Sequence, residues 1–285
     1  MAPGFRYHVI TIVAIFMALG VGMVVGSSHL QEALVERLQV QLAALGRRFT
    51  DEIEPLRQRT EEQKRLLNLL ATRLTHNRLT DRRVAVVVTG DYGDAAHRAT
   101  DELRSAGAEI VSLTTIPSTF PDRLDAVRAR LTQVLPEIAA SADDPRSGVL
   151  RLLSRRIVYG GSRSDLTELV DANLIETDGN YNRPVHLVIL FGGANAAMGK
   201  RWSSVDLPLI DGLLETGARV IGAEAEAADV SYITAYQSKG ISTVDNVDTE
   251  IGQTTLVLLA SGDRGSYGIK DTARDGRLPS GERQE

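Results

Sequence analysis

The chain has 285 residues, 43 % of them hydrophobic, a net charge of −5 and no cysteine. The acidic balance and the lack of a dominant Lys/Arg run speak against a nucleic-acid partner, because binding to a phosphate backbone relies on clustered cations. Without cysteine there is no thiol catalysis, no thiolate metal site and no disulfide, and an extracytoplasmic domain of this size does not need one.

No charge interrupts the stretch from Val9 to Ser28, VITIVAIFMALGVGMVVGSS. As a helix it spans roughly 30 Å, the thickness of a bilayer's hydrocarbon core. The competing reading is a cleaved signal peptide, whose apolar region usually runs about 7–15 residues behind a charged leader. Only Arg6 and the amino terminus charge the leader here, so an uncleaved anchor is expected. Arg6 precedes the span and Glu32 and Glu36 follow it, which by the positive-inside rule leaves the N-terminus in the cytoplasm and the main domain outside. Residues 1–29 are therefore read as a cytoplasmic N-terminus and single-pass membrane helix. Ala14, Ala18, Gly22 and Gly26 recur at every fourth position in it, a ladder that lets a second helix approach closely, although Gly and Ala are common in membrane helices anyway.

Residues 30–80 carry almost no turn signals. Leu34, Leu38, Leu42, Leu45, Phe49, Ile53 and Leu56, then Leu66, Leu67, Leu70 and Leu74, fall at spacings of three and four among charged residues. That pattern describes an amphipathic helix, either a coiled-coil stalk that makes the protein a homo-oligomer or a single helix folded back on the domain. Gly46 and Pro55 are expected to break it.

From Arg83 to about residue 265 the pattern changes to alternating strands and helices. VAVVVTG (Val84–Gly90), AEIVSLTTI, HLVILFGG, RVIGAEA and GISTVDNVD read as strands, with helices over Asp94–Gly107, Asp206–Gly217, Ser231–Lys239 and IGQTTLVLLAS. The expectation is an α/β, Rossmann-like parallel sheet covered on both faces. An insertion from about Pro117 to Pro184 promises helices over Leu124–Ala140, Val149–Tyr159 and Asp165–Leu174. Residues 266–285, polar and rich in Gly, Arg and Asp, read as a disordered tail.

Chemistry is sparse. The first strand runs into Gly90-Asp-Tyr-Gly-Asp94, where Asp91 or Asp94 is expected to cap the next helix, since a phosphate cradle would not carry two acids. FGGANAAMGK fails as a P-loop because Ala194 and Arg201 stand where glycine and Ser/Thr are needed. Gly192, Gly193 and Asn195 remain as a possible ligand crevice at a strand's carboxyl end, or as a plain tight turn. Asp245, Asp248 and Glu224 follow the last two strands and are candidates for a hard cation, although acids on loops are usually solvated. The five histidines have no ligand spacing and no nucleophile motif is present, so neither an enzyme nor a bound cofactor is expected.

Two blocks carry a resemblance. FRYHVITIVAIFMALGVGMVVGSS with the helical region after it, and GISTVDNVDTEIGQTTLVLLASGDRGSYG near the end, resemble the MctB family of mycobacterial copper transport and outer-membrane channel proteins. The resemblance implies a membrane protein of copper transport or homeostasis, as channel or accessory. The residues add no copper relay: Met17, Met23 and Met198 are the methionines beyond the initiator, and Met17 and Met23 point to different helix faces. A closed outer-membrane barrel is also not what these strands describe. The anchor, stalk and silent domain equally describe an extracytoplasmic scaffold that holds a cell-envelope partner, such as a protein of cell-wall hydrolysis or division.

Overall fold

The computed structural model describes residues 3–139, 145–161, 163–196 and 201–279, and for 3–6, 26–36, 52, 139, 145 and 163 the backbone alone. Two compact units divide between Leu67 and Asn68.

Helix α1 runs from Pro3 to Arg48 and contains the apolar span Tyr7–Val25, with mean hydropathy 2.4. By length and composition it is able to cross a membrane. The residues of Tyr7–Val25 are exposed, Ala14, Ala18 and Gly22 among them, while Gly26 falls in the stretch described by backbone alone. Gly46 does not interrupt α1. The irregularity comes where proline dictates it: residues Phe49–Ile53 form a π turn, in which the Glu54 N–H reaches the Phe49 carbonyl five residues back. Pro55 has no N–H to offer the Asp51 carbonyl, and its ring crowds that group, so the turn widens before α2 (Glu54–Thr75) resumes. Leu56, Leu66, Leu67, Leu70 and Leu74 are all exposed.

The second unit is built on seven strands: β1 (Arg83–Val88), β2 (Glu109–Thr115), β3 (Glu176–Gly179), β4 (Leu187–Phe191), β5 (Arg219–Ala223), β6 (Ser242–Val244) and β7 (Ser266–Tyr267). They lie in the order β3-β2-β1-β4-β5-β6-β7, all parallel except β3, which runs antiparallel to β2. The β-branched run at Val84–Val88 lies inside the sheet, between β2 and β4, with both its faces buried. Ala85, Val87, Val188, Leu190 and Val220 point into one apolar core, and Val84, Val86, Ile189, Phe191 and Ile221 into the other, the alternation a pleated strand imposes.

Helices close both faces. α3 (Gly93–Ser105) and α10 (Glu250–Ser261) supply Ala99, Leu103, Leu256 and Leu259 to one core. The other takes residues from α4 (Phe120–Val134), α6 (Pro145–Tyr159), α7 (Arg163–Asp171), α8 (Asp206–Glu215) and α9 (Ile233–Gln237). The first insertion helix stops at Val134 and a short turn of helix, α5 (Pro136–Ala139), follows. The order reverses between the neighbours β1 and β4, which feed α3 and α8 on opposite faces, and at such a reversal an open sheet leaves a crevice at the strands' carboxyl ends.

Two expectations change. The insertion contributes an edge strand, β3, whose sequence ETDG has no β-branched run to announce it. Residues 266–279 are no tail: β7 pairs with β6, and the Thr272 and Arg277 carbonyls accept bonds from Gln237 and Thr255.

Thr249 caps α10, its Oγ1 accepting the Gly252 N–H at 3.1 Å. Thr249→Ala should lower stability by about 1 kcal/mol, and a shift in the urea midpoint of the full chain, followed by circular dichroism, measures it.

Candidate functional site

The crevice between β1 and β4 is formed by the loops Thr89–Tyr92 and Gly192–Asn195. They are sewn together by backbone: the Phe191 carbonyl accepts from Thr89 and Gly90 at 2.9 and 3.1 Å, and the Gly193 carbonyl accepts from Asp91 at 3.0 Å. This closeness needs a glycine at 90, because a Cβ there would overlap the Gly192 and Gly193 carbonyls.

Asp91 is the centre of the seam. Its Oδ2 accepts the Asn195 N–H at 3.0 Å and its Oδ1 accepts from Arg201 Nη2 at 2.9 Å, while the same Nη2 donates to the Thr89 carbonyl at 2.8 Å. Asp91 therefore does not cap α3, which begins after Tyr92 without a side-chain cap, and Asp94 sits in its first turn. Gly192, Gly193 and Asn195 do lie together at the crevice, as their position after β4 implies, but the Asp91–Arg201 ion pair occupies the space beside them. The pair is largely shielded, at 16 % and 13 % side-chain exposure.

Next to the seam, Asp206 opens α8 in complete burial, with no hydrogen bond to either oxygen among the described residues. Burial raises its pKa to about 6, against the opposing pull of the nearby Arg201 charge. The Tyr236 hydroxyl and Arg201 Nε are buried without partners too, and burial, then the Asp206 charge, holds the Tyr236 phenol well above its ordinary range.

The acids after β5 and β6 form a second cluster, and each is committed to donors of the protein itself. Glu224, fully buried, accepts from Lys270 Nζ through Oε1 and from the Tyr232 N–H through Oε2, both at 2.8 Å. Asp245, also fully buried, accepts the Ile269 and Lys270 N–H groups at 2.8 and 3.2 Å and the Thr272 hydroxyl at 3.2 Å. Gly268 sits against that carboxylate at φ +145°, where any Cβ would collide with it. Asp248 accepts the Glu226 N–H at 2.7 Å. Among the described residues no three His, Asp or Glu side chains are placed to hold a metal ion. Met198 lies outside the described residues.

Arg201, Asp206 and Lys270 are the residues that sequence reasoning passed over. Arg201 figured there only as a P-loop mismatch, and Lys270 sat within the supposed tail. The available signal was the pair Tyr267 and Ile269, two large apolar side chains in an otherwise polar stretch.

Residues 4–276 match the family described as copper transport outer membrane protein, MctB. Relatives named copper transporter MctB include that of Mycobacterium leprae (strain TN), 26 % identical over 96 % of this chain and 98 % of that protein. Those of Mycobacterium bovis (strain ATCC BAA-935 / AF2122/97) and Mycobacterium tuberculosis (strain ATCC 25618 / H37Rv) are each 24 % identical over 92 % of this chain and 95 % of theirs.

Two outcomes follow from the buried charges. Lys270→Met strands the Glu224 carboxylate and should cost roughly 3 kcal/mol or more in denaturant unfolding, with Glu224→Gln in the same chain recovering part of the loss. For Asp206 the native carboxyl keeps its proton to about pH 6, whereas the unfolded one releases it near 3.8. This group's contribution is thus most favourable below pH 4, declines as pH rises to about 6 and stays low above. Asp206→Asn should remove that decline, on the order of 3 kcal/mol, from the difference between unfolding curves at pH 4 and pH 7.

Proposed function

The chain belongs to the MctB family, and from that premise we propose that it serves copper transport as a non-enzymatic, membrane-anchored accessory protein. The names of its relatives support the copper-related role. The observation that carries the accessory reading is the closure of the α/β unit on itself: Asp91, Glu224 and Asp245, the acids at the carboxyl ends of its central strands, are spent on Arg201, Lys270 and backbone N–H groups. Hard oxygen donors already engaged are poor ligands for a soft cuprous ion, and no cysteine is present to replace them. The sheet is open, with β3 and β7 at its edges and helices on both faces, so this unit is no barrel wall.

In this reading the Tyr7–Val25 helix holds the protein in the membrane, with the N-terminus in the cytoplasm as the Arg6 flank favours, and the α/β unit acts outside. The exposed leucines of α2 support a coiled-coil stalk, and the ladder Ala14, Ala18, Gly22 and Gly26 supports helix pairing in the bilayer.

The test is copper accumulation in cells that lack the protein. The intact chain, and one whose Tyr7–Val25 span is exchanged for an unrelated membrane helix, should both restore the normal level. Failure of the exchanged chain, or single-channel conductance of the purified protein in planar bilayers, would show a pore built from the anchors. Gly22→Leu combined with Gly26→Leu should reduce cross-linked dimer in membranes several-fold.

A further inference from the structure

Strand β3 ends the sheet, and among the described residues no strand pairs with its outer side. Antiparallel residues aim their N–H and C=O alternately toward and away from the neighbour. The Asn180 N–H donates to the Val111 carbonyl at 2.8 Å, and Asp178 lies opposite Leu113 and Glu176 opposite Thr115, so the even-numbered residues bond to β2. Thr177 and Gly179 therefore present their N–H and C=O groups to the open edge.

That edge faces a cleft of about 320 Å³ between β3 and α7. Its apolar side is Leu166 and Val170 of α7, and its polar side Thr177, Asp178, Gly179 and Tyr181. Tyr181 is fixed there by bonds to the Leu113 carbonyl at 2.8 Å and the Thr114 hydroxyl at 2.7 Å. A strand edge beside a helix, with an apolar floor between them, is the geometry in which a sheet accepts an added strand.

The charge at this edge identifies the occupant. Glu176 and Asp178 are exposed on the strand, and Asp171 is exposed at the end of α7. Among the described residues Arg156 is paired with Asp165, Arg183 with Glu109 and Arg130 with Glu168. Edge-to-edge pairing of two copies would bring two acids from each β3 together, which opposes self-association. We propose that the β3 edge and the β3–α7 cleft form a docking site for an extended basic segment of a partner protein. The segment adds as an eighth strand, lays every second side chain over Leu166 and Val170, and brings Lys or Arg to Glu176 and Asp178.

Fluorescein-labelled Val-Lys-Val-Lys-Val-Lys, followed by anisotropy against the full chain in a non-ionic detergent, provides the probe, with the Val-Glu hexapeptide as control. The lysine peptide should saturate and the glutamate peptide should not. Thr177→Pro deletes an outward N–H that β2 does not use, and should weaken binding roughly tenfold. Glu176→Lys with Asp178→Lys should reverse the preference in favour of the glutamate peptide. Should Thr177→Pro fail to fold by circular dichroism, this charge reversal decides alone. The proposal is overturned if the lysine peptide does not saturate at millimolar concentration, or if both variants bind it as the parent does. It is equally overturned if sedimentation shows a concentration-dependent dimer that Thr177→Pro abolishes, since the edge would then belong to a second copy.

Discussion

A carboxylate taken out of water must find donors or give up its charge, and the α/β unit is organised around how its buried acids meet that demand. Asp245 leaves β6 with no exposure and collects its donors from residues 269–272, about 25 positions later in the chain. Lys270 then reaches Glu224 at the end of β5. Two strand ends and the C-terminal segment are thereby tied at one place, with Gly268 giving the room a side chain would deny. Backbone donors hold their position without side-chain entropy to lose, which makes Asp245 a fixed anchor rather than an adjustable ligand.

The same demand closes the crevice at the strand-order reversal. Asp91 draws in Arg201 and the Asn195 N–H, and the loops after β1 and β4 interlock through backbone bonds that only a glycine at 90 permits. An open sheet usually offers this place to a ligand. Here the protein's own arginine takes the position of one. Asp206 is the exception that marks the limit of the scheme: Arg201 spends its Nη2 on Asp91 and Thr89, and the neighbouring acid is left to moderate its charge by holding a proton longer.

The parts of this fold that were legible in the sequence are those whose signal is local. Val84–Val88 reads as a doubly buried strand because β-branched residues crowd it, and the cap of the last apolar helix reads as Asp248 or Thr249, of which Thr249 takes the place. Pro55 disturbs the helix as its missing donor requires, while Gly46 carries only a propensity cost that the flanking helix absorbs. What stayed hidden is non-local. ETDG becomes β3 because β2 offers it an edge, not because of its own preference, and SY becomes β7 because Asp245 and Glu224 hold the residues after it. The motif ISTVDNVD with its later SYG, recognisable as a resemblance, owes its form to this lock between distant segments. Nothing in the spacing of the acids reveals that their partners are amides rather than an ion.

Where the protein retains capacity for contact follows from what has been used up. The two cores of the α/β unit are filled and its rim acids are paired, so little free energy remains there for recognition. Apolar surface stays uncovered on α1 and α2, where Tyr7–Val25 suits lipid and the leucines of α2 suit another helix. Unsatisfied backbone remains at the outer edge of β3, which needs a strand and not a helix. These surfaces differ in chemistry, one asking for hydrocarbon, one for a leucine seam, one for an extended chain with positive charge. Each surface therefore selects its own class of partner, and a ligand suited to one does not satisfy another.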